Sequence, residues 1–174
     1  MIRDKKKGIL FWITGLSGSG KTTISKEIHS YIEKYYGPTL LFSGDDLRKI
    51  FCLKGHSKTE RLKILKSYCK FAKHITDNKI NILFAVVGMF NAPRKWNKKN
   101  IKNYCEIYIQ TDLKKIIKLG KKKIYQNKKI NNIMGVDIEP EFPKRSNIIL
   151  VNNFDYSIKI LAKNLIKKIR KEIR

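Results

Sequence analysis

The chain has 174 residues, 42% of them apolar, and a formal charge of +25. That length gives one domain with a real core but not two comfortable ones, and the apolar content excludes a disordered polyelectrolyte. No apolar run approaches the roughly 20 residues of a membrane-spanning helix, so a single domain over 1–174 with no membrane partner is expected.

Lysines are dispersed over nearly every predicted helix, and Ile and Asn are abundant throughout. The charge therefore reads as the bias of an AT-rich genome rather than a footprint for specific nucleic acid, with attraction of small polyanions as a by-product. Cys52, Cys69 and Cys105 are odd in number and lack a CxxC spacing, and read as buried thiols in a reducing cytoplasm. Met1 to Leu16 imitates a signal peptide, but its apolar run is short and is better used as a strand.

That strand, Ile9 to Ile13, runs directly into Gly15-x-x-x-x-Gly20-Lys21-Thr22, and an amphipathic stretch from Thr22 to about Tyr36 follows. Strand, glycine-rich loop and helix together mark a phosphate-binding P-loop. Glycines at 15, 18 and 20 let backbone N–H groups approach phosphate oxygens, and the helix directs the positive end of its dipole at the same anion. Lys21 supplies charge to the β- and γ-phosphates of a nucleoside triphosphate, and the Thr22 hydroxyl is placed to ligate Mg²⁺. Leu16, Ser17, Ser19 and Thr23 complete the residues expected around the donor phosphates.

Ile24, Ile28 and Ile32 form the inner stripe of this first helix, and His29 lies on its flank. Gly37-Pro38 ends it, and Thr39 to Phe42 reads as a second strand leading into Ser43-Gly44-Asp45-Asp46-Leu47-Arg48. Carboxylates just past the carboxyl end of such a strand sit over the P-loop crevice. Asp45 or Asp46 can hold Mg²⁺ through water or take a proton from a substrate hydroxyl, and one of the two is expected to cap the following helix. Arg48, one turn on, reads as a grip for a second anionic substrate rather than a solvated charge.

A capping-box pattern, Ser57-x-x-Glu60, opens a helix over 57–77 with Leu62, Leu65, Tyr68, Cys69 and Ala72 inward. Ile80 to Val87 reads as the central buried strand. It holds no acidic residue, which argues against a motor ATPase and for a small-molecule kinase. A short helix over 93–101, a strand over 104–110 and a helix over 112–119 follow. The basic, poorly periodic stretch that comes next suits a lid over about 118–134, closing on the triphosphate, as well as it suits a solvated loop. A last strand over 147–151 and a helix over 156–174 complete an α/β fold: three layers around a five-stranded parallel sheet, as in P-loop NTPases.

With these stretches in place, the sequence resembles the adenylylsulfate (APS) kinase family from about Phe11 to Val151. The resemblance is carried by Trp12 to Thr22, by Gly44-Asp45-Asp46-Leu47-Arg48, by Gly55-His56-Ser57 with Glu60-Arg61, and by Gly135-Val136-Asp137. It implies transfer of the γ-phosphoryl group of ATP, with Mg²⁺, to the ribose 3′-hydroxyl of a small-molecule nucleotide. It further implies Asp45 as general base and, through water, a metal contact. Arg48 and Arg61 match the arginines that bind the acceptor's 5′-anhydride, with His56 and Asp46 beside them. A homodimer is the implied assembly.

The departures from the family fall mostly on the acceptor side. Ser43 stands where the family has an Asp, and His56 and Ile133 stand where two aromatic residues sandwich the acceptor base. Ile64 and Lys66 replace an asparagine and an arginine, Gly88-Met89 replaces a serine-proline, and Lys118 replaces an arginine ahead of the lid, losing its bidentate fork. Loss of both aromatic walls costs about 1–3 kcal/mol of stacking. The resemblance therefore leaves two acceptors open, adenylyl sulfate and a different nucleotide such as cytidine diphosphoramidate, used in capsule phosphoramidate synthesis. The rival classes are a polynucleotide kinase, motivated by the charge, and a non-catalytic nucleotide-binding module, motivated by the eroded acceptor side.

Overall fold

The computed structural model describes residues 3–127 and 129–173. Lys128, inside the expected lid, and Arg174, at the end of the expected last helix, lie outside them, as do Met1 and Ile2. The elements are β1 (Ile9–Thr14), α1 (Lys21–Tyr36), β2 (Thr39–Ser43), α2 (Gly44–Ile50), α3 (Lys58–Asp77), β3 (Asn81–Val86), α4 (Asn91–Asn100), β4 (Asn103–Gln110), α5 (Leu113–Lys118), a 3₁₀ turn (Lys123–Tyr125), β5 (Ile148–Val151) and α6 (Ile158–Glu172). All five strands are parallel, in the order β2-β3-β1-β4-β5.

The central strand is thus β1, not β3 as the sequence suggests. Both are buried along their whole length, and a strand covered on both faces carries no periodicity that ranks it within the sheet. Alternate β1 residues face two cores. Ile9, Phe11 and Ile13 meet the isoleucine stripe of α1 and Leu161, Leu165 and Ile169 of α6. Leu10 and Trp12 meet Leu65, Tyr68, Cys69 and Ala72 of α3 together with Phe84. Those two cores make the three layers.

Asparagines pin the amino ends of the strands. The Asn81 amide accepts from Ile9 N–H and donates to Gly37 O, and the Asn103 amide donates to Asp4 O and Lys7 O. α4 begins at Asn91, ahead of Pro93, because a first-turn proline lacks only an N–H that no helical carbonyl would accept. Arg94 of this helix is buried, a feature its basic surroundings conceal. Its Nε lies 3.6 Å from Glu106 Oε1 on β4, and its guanidinium donates to Gly88 O at 3.2 Å and Glu141 O at 2.7 Å. Tyr104 and Ser146 donate to the same Glu106 carboxylate, so the buried charge is paired and bonded, as burial requires. Cys69 and Cys105 are buried, but Cys52 is exposed in the turn after α2, correcting the expectation of three buried thiols. Among the described residues no helix is long and apolar enough to cross a membrane.

Candidate active site

β1 ends at Thr14 and the loop to α1 wraps the helix N-terminus. Gly20 (φ +89°) and Gly18 (φ +83°) take left-handed conformations that side chains disfavour. Lys21, the first residue of α1, is only 7% exposed and folds back so that Nζ donates to Leu16 O at 2.7 Å. Burial lowers its pKa to about 7, the Asp45 carboxylate opposes that shift, and Lys122 adds to it. Thr22 and Thr23 stand at the same helix end, Thr22 half-buried and Thr23 exposed.

The two adjacent aspartates have different tasks. Ser43 caps α2: its hydroxyl accepts from Asp46 N–H and donates to Asp46 Oδ2 at 2.6 Å, while Ser43 N–H donates to the same carboxylate. Asp46 is therefore the capping-box partner, and neither aspartate is the N-cap itself, correcting the expectation that one of them caps the helix. Its bond from Ser43 holds its carboxyl below the usual range, and it is not among the residues that line the cavity beside α2. Asp45, one residue earlier, does line that cavity.

The cavity holds about 280 Å³ and joins Asp45, Arg48, His56 and Arg61 to Ser17 of the P-loop and Lys122 of the basic segment. Its apolar wall is mostly aliphatic, with Ile64, Val86, Val87, Ile130 and Ile133, and holds one phenol ring, Tyr68. The arginines are pre-set by backbone carbonyls. Arg48 Nη1 donates to Gly55 O at 2.9 Å, and Arg61 donates through Nε to His56 O at 2.7 Å and through Nη2 to Asn132 O at 2.9 Å. Arg61 thereby ties the start of α3 to the end of the basic segment. His56 is held below its ordinary pKa by burial and by Arg48 and Arg61, which favours the neutral ring near neutral pH. The Gly135-Val136-Asp137 stretch is a turn in which Ile133 N–H donates to the Asp137 carboxylate at 2.8 Å, presenting Ile133 to the cavity.

Sequence reasoning missed three residues here. Tyr68 was legible only as core, yet it lines the cavity and its hydroxyl donates to Gly44 O at 3.1 Å, next to Asp45. Tyr125 and Asn152 donate to P-loop carbonyls from far along the chain, and no motif announces either. Lys66 and Lys118, expected near the acceptor and the lid, are exposed and do not line the cavity. A larger cleft of about 700 Å³ between α5 and the β5 edge includes Leu16 but none of the other predicted site residues.

The family model described as adenylylsulphate kinase matches residues 7–151. A cytidine diphosphoramidate kinase of Campylobacter jejuni is 33% identical over 167 residues, covering 92% of this chain and 98% of that protein. An adenylyl-sulfate kinase of Pseudomonas aeruginosa is 27% identical, covering 84% and 78%. Among solved structures, the Mycobacterium tuberculosis APS kinase in complex with AMPPNP and APS has the same fold, with a TM-score of 0.83 at 24% identity over 94% of this chain and 98% of that one.

Proposed function

The chain belongs to the adenylylsulphate kinase family, and from that premise we propose that it transfers the γ-phosphoryl group of Mg²⁺-ATP to the ribose 3′-hydroxyl of a nucleotide bearing a 5′-anhydride. Kinase chemistry belongs to the family; the acceptor and the residue roles are the proposal. The observation that carries it is the cavity gathering Asp45, Arg48, His56 and Arg61 beside Ser17 and Lys122.

In this reading Arg48 and Arg61 take the 5′-anhydride and orient the ribose toward Asp45. The Asp45 carboxylate accepts the 3′-hydroxyl proton as that oxygen bonds to the γ-phosphorus. The bond to the β,γ-bridging oxygen breaks and ADP leaves. Lys21 exchanges its bond to Leu16 O for phosphate oxygens, and Lys122 meets charge on the transferring group. Among the described residues no three His, Cys, Asp or Glu side chains cluster as a metal cage. The Thr22 hydroxyl and the Asp45 carboxylate are a sparse, all-oxygen donor set, which suits Mg²⁺ held chiefly by phosphates and water. When bound, Mg²⁺ neutralises phosphate charge there.

We favour cytidine diphosphoramidate as acceptor, which would place the chain in capsule phosphoramidate synthesis. The Campylobacter relative supports this over nearly its full length, and so do His56 and Ile133 in the cavity lining, at the two places where the resemblance implies aromatic walls for the acceptor base. Adenylyl sulfate is the second reading, favoured by the family model and the Pseudomonas relative. A coupled ADP-release assay with both acceptors decides. The expected result is turnover on the cytidine compound, with kcat/KM about tenfold or more above adenylyl sulfate, the scale of one lost stacking platform. The reverse preference establishes the second reading, and silence on both overturns the acceptor assignment. The homodimer implied by the resemblance is testable by sedimentation of the full chain.

A further inference from the structure

A loop that binds an anion with its N–H groups turns its carbonyls outward, and each outward carbonyl then needs a donor. In this P-loop Gly20 O accepts from Ile24 N–H of the helix and Leu16 O from Ser19 N–H within the loop, and three carbonyls have a side-chain donor. Leu16 O receives Lys21 Nζ, Ser17 O receives the Tyr125 hydroxyl at 3.1 Å, and Ser19 O receives Asn152 Nδ2 at 3.0 Å. Lys21 can leave for phosphate without cost to the frame, whereas the other two donors come from elements outside the loop. We propose that Asn152 and Tyr125 are positioning residues that set the phosphate-binding conformation of the P-loop by holding its carbonyls from behind. This rests on the donor half of the proposed function and is independent of the acceptor.

Asn152 follows β5 and is 2% exposed. Its backbone N–H donates to Gln110 O at 2.9 Å, and its Oδ1 accepts from Phe154 N–H at 3.1 Å. Those bonds fix the amide's orientation, leaving Nδ2 as the edge that faces Ser19. Gly20 makes room for it: a Cβ there would lie 2.9 Å from Asn152 Nδ2. That glycine therefore serves the clamp behind the loop as well as the phosphate in front.

Tyr125 lies on the 3₁₀ turn of the basic segment, far from Asn152 along the chain. Its neighbours Lys122 and Ile124 line the acceptor cavity, as does Ser17, its bonding partner. One contact thus ties the donor loop to the wall of the acceptor cavity. Burial pushes the Tyr125 hydroxyl up to about 12, so it remains a donor through the physiological range.

The test is calorimetric titration of the full chain with AMPPNP and Mg²⁺, well below the melting temperature, for the wild type, Tyr125→Phe, Asn152→Ala and Asn152→Asp. Each variant removes one donor, and Asn152→Asp keeps the shape while opposing Ser19 O with a second acceptor. Affinity is expected to fall about tenfold in Tyr125→Phe and Asn152→Ala and further in Asn152→Asp, on the scale of one buried hydrogen bond. A purely structural Asn152 would lower the melting temperature of the free protein and leave the affinity of the folded protein unchanged. Wild-type affinity in Tyr125→Phe and in either folded Asn152 variant overturns the inference. If the Asn152 variants do not fold, Tyr125→Phe alone decides. A wild-type chain that does not bind AMPPNP sinks the donor half of the proposed function and this inference with it, which is distinct from equal binding by all variants.

Discussion

Lys21 is where burial and function pull hardest against each other. In the free protein its ammonium is buried and answered only by a carbonyl and by Asp45 at a distance, so its pKa falls to about 7. An unfolded lysine keeps its proton to about 10.4. Between those values the unfolded chain binds more protons than the folded one, so the free protein's stability rises with pH across that window. ATP reverses the local balance: phosphate oxygens beside Nζ restore the proton. Binding above pH 7 should therefore take up protons, approaching one per ATP near pH 8, and affinity should weaken as pH rises. Titration calorimetry in two buffers of different ionisation enthalpy reads the uptake directly, and no uptake at pH 8 would mean that Lys21 is already charged in the free protein. The motif made Lys21, and its need for an anion, legible from sequence. The carbonyl that holds it and the amide of Asn152 behind the loop were not legible, because a hydrogen bond between residues 133 positions apart leaves no local pattern.

At the scale of elements, α2 shows how one short helix separates two identical side chains. Ser43 and Asp46 close the capping box and so fix the helix start, and that start aims Asp45 into the cavity. The adjacent carboxylates should respond differently to removal. Asp46→Ala loses the capping-box partner of Ser43, a contribution of about 1 kcal/mol, which lowers the melting temperature by about 2–4 °C for a chain of this size. It should reduce turnover only modestly. Asp45→Asn should melt like the wild type and lose about 10²–10⁴-fold in kcat, the usual worth of a general base. Thermal melts and turnover on the same preparations check both, and near wild-type turnover in Asp45→Asn would remove it from the base role. The sequence suggests one of the pair as the N-cap, but Ser43 takes that place and Asp46 answers it from N3, because the helix starts one residue earlier, at Gly44. Element boundaries were otherwise readable to within a few residues, because glycine, proline and capping residues punctuate them. Sheet order was less so: β1 and β3 are equally apolar, and which lies in the middle depends on what each pairs with.

For the whole molecule, the charge of +25 has to be set against where the acidic residues go. Asp46 and Glu60 are held in capping boxes, Asp112 caps α5, Asp137 closes a turn, Asp77 lies between Lys7 and Lys73, and Glu106 faces Arg94. Local structure uses these carboxylates, which leaves a broadly positive surface around a cavity whose one lining acid among the described residues is Asp45. Such a field draws in anionic nucleotides from a distance without reading their identity. At low ionic strength kcat/KM for ATP and for the acceptor should be raised together, and both should fall several-fold between about 20 and 300 mM salt as the screening length shrinks from about 20 to about 6 Å. kcat should stay level, because the buried Lys21 and the bonded arginines are screened far less than the surface lysines. A polynucleotide kinase with the same net charge would behave otherwise, losing oligonucleotide binding by orders of magnitude over that range and phosphorylating oligonucleotide ends at low salt. Steady-state kinetics across the salt series, with a single-stranded oligonucleotide as a competing acceptor, separate the two. Phosphorylation of the oligonucleotide would mean that the surface charge is a substrate track, whereas a shared fall in kcat/KM at constant kcat makes it a collector for small anions.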